Sequence, residues 1–368
     1  MATQDQAGDE PIGLDERVIS TEKLYGDANR WRRFGEPVPA GTSTKPDGSP
    51  DFGLFGPGTM VWEVVLHPAV IALESIAQSL LQLTYKPIAA GIRDHDPISR
   101  KARAGTVTYF DTFERFQRNA GMHAPMWLGD TPTASKMAGH LHRIHKRVAG
   151  PIIDIANPEL GGYAASGPRD AMFAALTEMD AMLHIYEACA YHGSEPPRKL
   201  SAAQRDQYFL EASAYLRLMG APEDEIPKNA ADVDALYEKY DHLFGESHTI
   251  DIIPETGENY KELLTKVTQK NFHPSQMKSI ELLKEQFGQL RQPILGALSA
   301  RARRHAGLNE SESELAVQAL HATLPAIREM QEETAEKETL RLMWGPDAVN
   351  LVNSARNLHR QKSIASLN

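Results

Sequence analysis

Apolar residues recur every three or four positions along most of this chain, and runs that alternate apolar with polar are scarce. That period belongs to helices packed on one another rather than to a sheet. The first clear element is "HPAVIALESIAQSLLQLTYK", with Pro68 in the first turn, and it should end before Pro87. "DPISRKARAGTVTYFDTFERFQRN" predicts a second helix, with Asp96 as cap and Pro97 at the first position. Its middle is weakened by Gly105 and the β-branched Thr106, Val107 and Thr108. "TPTASKMAGHLHRIHKRVAG" predicts a third, capped by Thr131 and stopped by Gly150 and Pro151. A long, mostly apolar fourth covers "GPRDAMFAALTEMDAMLHIYEACAYHG". A fifth runs from the cap Ser201 to the stop Gly220, and a sixth over "NAADVDALYEKYDHLF". Further amphipathic helices are expected from about 258 to 305 and from 310 to 343.

The pattern therefore predicts a mostly α, single globular helical domain over residues 58–345. It is preceded by an extended, loop-rich N-terminal arm over 1–57, where Gly, Pro, Asp and Ser crowd, and followed by a C-terminal tail over 346–368. The 368 residues with 41% hydrophobic content suffice for a sizeable core. A net charge of −10 and a pI near 5.8 argue against a nucleic-acid partner. The polar, acidic N-terminus lacks a signal peptide's apolar run, and no stretch reads as a transmembrane segment, so a cytoplasmic location is the expectation. The single cysteine, Cys189, rules out a disulfide framework, a zinc ribbon and covalent haem attachment within one chain; it reads as packing.

Candidate chemistry centres on "HLHRIHKRVAG", residues 140 to 150. Helical phasing puts Ala138, Leu141, His145 and Val148 on one face, and Lys136, His140, Arg143 and Arg147 largely on the other. His145 is thus expected inward, with His142 beside it on the flank. A di-iron carboxylate bundle requires Glu-x-x-His, and none of the 14 histidines has an acidic residue three positions before it. The H-E-x-x-H of a zincin is also absent. Two readings stay open: a core histidine satisfied by a hydrogen bond, and an axial haem ligand, which needs only one histidine in an apolar slot. The charged start "IRDHDPISRKAR" reads as a solvated cap or as a source of Arg100 or Arg103 for an anionic group. "GLFGPGTMVW" fits no phosphate-binding fingerprint.

The order of segments is more informative. "FGPGTMVWEVVLHPAVI", "SLLQLTYKPIAAGIRDHDPISRKAR", "WLGDTPTASKMAGHLHRIHKRVAG", "GGYAASGPRDAMFAALTEMDAML" and "YFLEASAYLRLMGAPEDEIP" follow one another from about Phe55 to Pro227. This series resembles the rubber-oxygenase family, comprising latex clearing proteins and the MpaB-type oxygenases of mycophenolic acid biosynthesis. The resemblance implies a globin-reminiscent bundle around a b-type haem. It also implies a reaction in which dioxygen cleaves carbon–carbon double bonds of an apolar, isoprenoid substrate. The family's H-x-x-H-x-x-V-x-G matches His142, His145, Val148 and Gly150, which assigns the iron to His145 and a supporting place to His142. Tyr163 matches the family tyrosine of "GGYAASGP" and is carried over as cofactor-binding. The family's Arg-x-x-x-Thr is met by Arg100, Arg103 and Thr106 with spacings of six and three, and these three are carried over as catalytic. Two departures stand out. The family's Trp-x-His reads Phe173-Ala174-Ala175 here, and the segment between Thr106 and Gly129 is longer, adding His123. The alternative from outside catalysis is a helical protein that only binds haem or a hydrophobic ligand; a haem-free interaction protein is the third.

Overall fold

The computed structural model describes residues 35–107, 109–246, 259, 262, 288–345 and 347–365. The expected helix over 258–305 lies mostly outside the described residues. The turn-rich segment before the bundle runs along the residues around Leu128 and Asp130 rather than away from them. Ala40 N–H donates to Leu128 O at 2.9 Å and Asp130 N–H to Val38 O at 2.9 Å. Gly53 is held with φ +71°, and a β-carbon there would stand 1.9 Å from the carbonyl oxygen of Gly129. Only glycine allows that approach.

The bundle opens with α1 (Met60–Val65), capped by the Thr59 hydroxyl, and α2 (Pro68–Gln82). Histidine 67 is the N-cap of α2: its Nδ1 accepts from Ala69 N–H at 3.2 Å, so the ring carries its proton on Nε2, which donates to Tyr191 O at 3.1 Å. Then come α3 (Lys86–His95), α4 (Pro97–Arg103), α5 (Tyr109–Ala120), α6 (His123–Leu128) and α7 (Thr131–His145). The predicted second helix is two helices. Gly105 takes φ +68° and ends α4, so the weak middle is a break. The cap of α7 is Asp130 rather than Thr131: its carboxylate accepts from Thr133 N–H at 3.0 Å, while the Thr131 hydroxyl donates to Asp51 at 2.7 Å.

A two-residue hairpin, β1 (Ala149–Gly150) with β2 (Tyr163–Ala164), pairs antiparallel in the register Ala149 with Ala164 and Gly150 with Tyr163. It packs beside α3. Next is α8 (Pro168–Cys189), apolar nearly all round and buried along its length, as a helix at the centre of a bundle must be. It lies against α2 and against α9 (Ala202–Met219), which has a Ser201–Gln204 capping box and a left-handed Gly220 at its end, as the pattern predicts. The bundle continues with α10 (Ala230–Lys239), a helix over 288–297 (α11), α12 (Ala300–His305), α13 (Glu310–Glu329) and α14 (Glu333–Thr339). A π-turn over Leu340–Trp344 then drives Trp344 into the core, fully buried. The Leu342 carbonyl in that turn accepts from Gln117 Nε2 at 2.6 Å. The stretch read as a tail carries α15 (Ala348–Ala365), which packs on α6. None of the described helices is long and apolar enough to cross a membrane.

Alpha8 carries four buried carboxylates, each held by a side chain from elsewhere in the bundle. Asp170 accepts from Tyr85 OH at 2.7 Å, Glu178 from Tyr215 OH at 2.7 Å, and Asp180 from Tyr237 OH at 3.0 Å. Glu187 pairs in bidentate fashion with Arg205. Buried polar groups of this kind persist only when partnered.

Candidate functional site

His145 occupies the last turn of α7 and is half-buried. The buried face of that helix is Ala134, Met137 and Ala138, which continues through the partly buried Leu141 to His145. The phasing is therefore as the sequence predicts, although the helix stops at His145 and Val148 lies beyond it. Burial, then the neighbouring His142 and the positive charge of Arg115, hold the His145 pKa below the ordinary histidine value. The imidazole is thus neutral at pH 7, with a lone pair to offer, and among the described residues no hydrogen bond reaches its ring. His142 Nε2 lies 3.3 Å from Met219 O, which ties α7 to the end of α9.

Tyr163 is buried on β2 and donates to Asp94 Oδ2 at 2.6 Å. Burial and that carboxylate push the phenol pKa upward, so it stays a donor. Asp94 is also gripped by Arg93 through two contacts of 2.7 Å, and Arg93 reaches the carbonyls of Ile152 and Ile153. The tyrosine thus locks the hairpin after α7 onto α3. Close approach explains Gly150, where a β-carbon would stand 2.6 Å from the Tyr163 ring. Arg103 is half-buried and donates to Arg93 O at 2.9 Å, joining the same cluster. Arg100 and Thr106 are exposed, at the end of α4 and just beyond it. The structure therefore gathers Arg103 and Tyr163 about Asp94, and leaves Arg100 and Thr106 outside that cluster.

The densest buried chemistry in the described core lies elsewhere, around His123. This residue opens α6 at 4% exposure, between Glu74 of α2 and Glu178 of α8, which are 0% and 3% exposed. His123 Nδ1 is 3.2 Å from Glu74 Oε1, and Nε2 is 2.5 Å from Glu178 Oε1. Burial works against charge on the ring, but the two carboxylates outweigh it and carry the pKa to about 10. Trp127 stacks on the imidazole at 4.4 Å, and Trp344 meets it edge-on at 6.4 Å. The sequence marks His123 only as an added residue. The available signal was an acidic residue within each of two largely apolar helical stretches, "VIALESIAQ" and "FAALTEMDAM". No linear motif connects them, because each residue comes from a different helix.

No curated protein and no solved structure matches the chain significantly. Residues 62–329, the greater part of the chain, match the family model described as "ER-bound oxygenase mpaB/B'/Rubber oxygenase, catalytic domain". The matched span runs from within α1 to the last residue of α13 and takes in the α7 histidines, the Tyr163 hairpin and the His123 cluster. With its mostly helical fold and this match, the chain belongs to the mpaB/rubber oxygenase family and has a general oxygenase role.

Proposed function

We propose that the protein is a haem b-dependent oxygenase in which His145 would hold the iron and dioxygen is used on an apolar, isoprenoid or other alkene substrate. The observation that carries this reading is the state of His145. It is a neutral, half-buried imidazole with no hydrogen bond from the described residues, at the motif position where the family resemblance puts the ligand. Most half-buried histidines spend their ring nitrogens on the surrounding protein, as His142 and His67 do here. The donor set fits a haem iron, which takes one neutral imidazole and is served by cations for its propionates. Bound there, haem would supply the activation of dioxygen.

The chain's own residues do the positioning. His145 stands at the C-terminal end of α7, fixed on one side by the His142 contact to α9. On the other side, the Arg93–Asp94–Tyr163 cluster holds the hairpin that follows. Arg103, in that cluster, would meet an anionic propionate through charge-assisted hydrogen bonds. Arg115, whose charge already bears on His145, is tied to Asp96 at 2.7 Å and adds positive potential beside the ring. Positive charge near the ring also keeps it unprotonated and so available as a ligand.

The test is spectroscopic. Full-length protein produced with ample haem should show a Soret band that His145→Ala removes, while His140→Ala leaves it. Absence of the band from the wild type would refute the haem reading. A band without oxygen uptake on polyisoprene, squalene or other alkenes would instead favour a binding protein.

A further inference from the structure

We propose that Glu74, His123 and Glu178 form a second, non-haem metal site that takes one divalent first-row transition ion, such as Mn²⁺, Fe²⁺ or Zn²⁺. The inference does not depend on the reading of His145.

The argument starts from how the carboxylate oxygens are used. Glu74 Oε2 accepts from the Ser75 hydroxyl at 3.0 Å, and Glu178 Oε2 accepts from Tyr215 OH at 2.7 Å. Each carboxylate therefore has one oxygen fixed by a hydroxyl donor. The other oxygen of each, Oε1, is buried with no hydrogen-bond partner, and so is His123 Nδ1. One ligand atom from each of Glu74, His123 and Glu178 lies within 4.8 Å of the others. The nitrogen–oxygen separations of 3.2 and 2.5 Å set each ring nitrogen against one of the two carboxylates.

The surroundings match. A ligating carboxylate is usually oriented by a hydrogen bond to its other oxygen, as Tyr215 and Ser75 provide here. Burial pushes the Tyr215 phenol pKa well upward, so it remains a donor to Glu178. Trp127, Trp344 and Tyr215 close an aromatic wall around the imidazole, with Trp127 and Tyr215 rings 6.1 Å apart and Trp127 and Trp344 5.9 Å apart. Two carboxylate oxygens and one imidazole nitrogen suit a borderline divalent ion rather than Ca²⁺, which collects six to eight oxygens, or Cu⁺, which prefers sulfur. A dication that displaces the ring proton would leave a neutral imidazole and balance the two carboxylate charges. Three protein donors leave positions for water or another small ligand.

The experiment uses full-length protein from cells grown with added Mn²⁺, Fe²⁺ and Zn²⁺, desalted and analysed for metals, with haem iron counted separately from its absorbance. About one non-haem ion per chain is expected, falling at least tenfold in Glu74→Gln and Glu178→Gln, which keep side-chain size. Tyr215→Phe should weaken retention against a chelator by roughly tenfold or more. Folding of each variant is checked by circular dichroism and thermal melting. If the glutamine variants do not fold, Mn²⁺-loaded wild type decides: a single histidine nitrogen coupled to the ion in electron–nuclear double resonance supports the site. Wild-type protein with negligible non-haem metal, folded glutamine variants that retain the full complement, or bound Mn²⁺ without nitrogen coupling each overturn the proposal and leave His123 as a cation clamped between two glutamates.

Discussion

His67 offers the sharpest quantitative test of the fold, because one ring both caps α2 and answers a carbonyl. Burial, assisted by His192 and Arg356, lowers its pKa from 6.5 to about 4. The neutral ring is the one the site is built for: Nδ1 must accept from Ala69 N–H, which a protonated ring cannot do. The group binds its proton more weakly folded than unfolded. Its contribution is therefore fully present above pH 6.5, is lost as pH falls from there towards 4, and changes no further below. At about 1.4 kcal/mol per pH unit, the whole loss is roughly 3 kcal/mol, of which about 2 kcal/mol falls between pH 7.5 and 5. His67→Asn keeps a capping oxygen but cannot titrate and gives up the bond to Tyr191 O, so it should cost about 1 kcal/mol at pH 7.5. Urea unfolding of both proteins across that range cancels every carboxylate they share. The two stability curves should cross near about pH 6, with the variant more stable by about 1 kcal/mol at pH 5. Parallel curves would show that the ring is protonated without penalty, and the assigned tautomer and its two hydrogen bonds would be wrong.

Other expectations follow from single contacts. Gly150→Ala puts a methyl group 2.6 Å from the Tyr163 ring and strains the Tyr163–Asp94 bond, so a loss of about 2–4 kcal/mol is expected. Adding Tyr163→Leu should recover part of it, and strict additivity in the double-mutant cycle would refute the clash. Gly53→Ala, which meets the Gly129 carbonyl at 1.9 Å with φ +71°, should detach the arm and raise proteolysis of residues 35–57 while the bundle keeps its circular dichroism. Cys189 is fully buried, and burial pushes its thiol to about 12. It should therefore ignore Ellman's reagent in the native protein and react on unfolding, and rapid native labelling would contradict its placement.

The helical elements were largely legible because their boundaries are local. Pro68, Pro97, Ser201 and Gly220 act through backbone groups within a turn of themselves. The expected cap of α7, Thr131, is off by one because Asp130 is also a cap former, and Asp51, eighty positions away, takes the Thr131 hydroxyl. The inward phase of His145 was legible from Ala138 and Leu141, but the end of the helix at that residue was not, since Lys146, Arg147 and Val148 continue a helical pattern. The π-turn that buries Trp344 depends on Gln117, more than two hundred residues earlier. The Glu74–His123–Glu178 cluster had no sequence spacing to read, because motifs record neighbours on one helix and these donors meet only when three helices pack.

The carboxylates of α8 have a bearing on how this bundle reaches one arrangement. A smooth, apolar helix can slide along its neighbours by a turn, about 5.4 Å, at little cost in buried area. Here such a slip would carry Asp170, Glu178, Asp180 and Glu187 away from Tyr85, Tyr215, Tyr237 and Arg205 all at once. Each charge would be stranded in the core, at several kcal/mol apiece. The acidic positions thus function as index marks on the central helix: they add little to the depth of the native state but set its height above every misregistered neighbour.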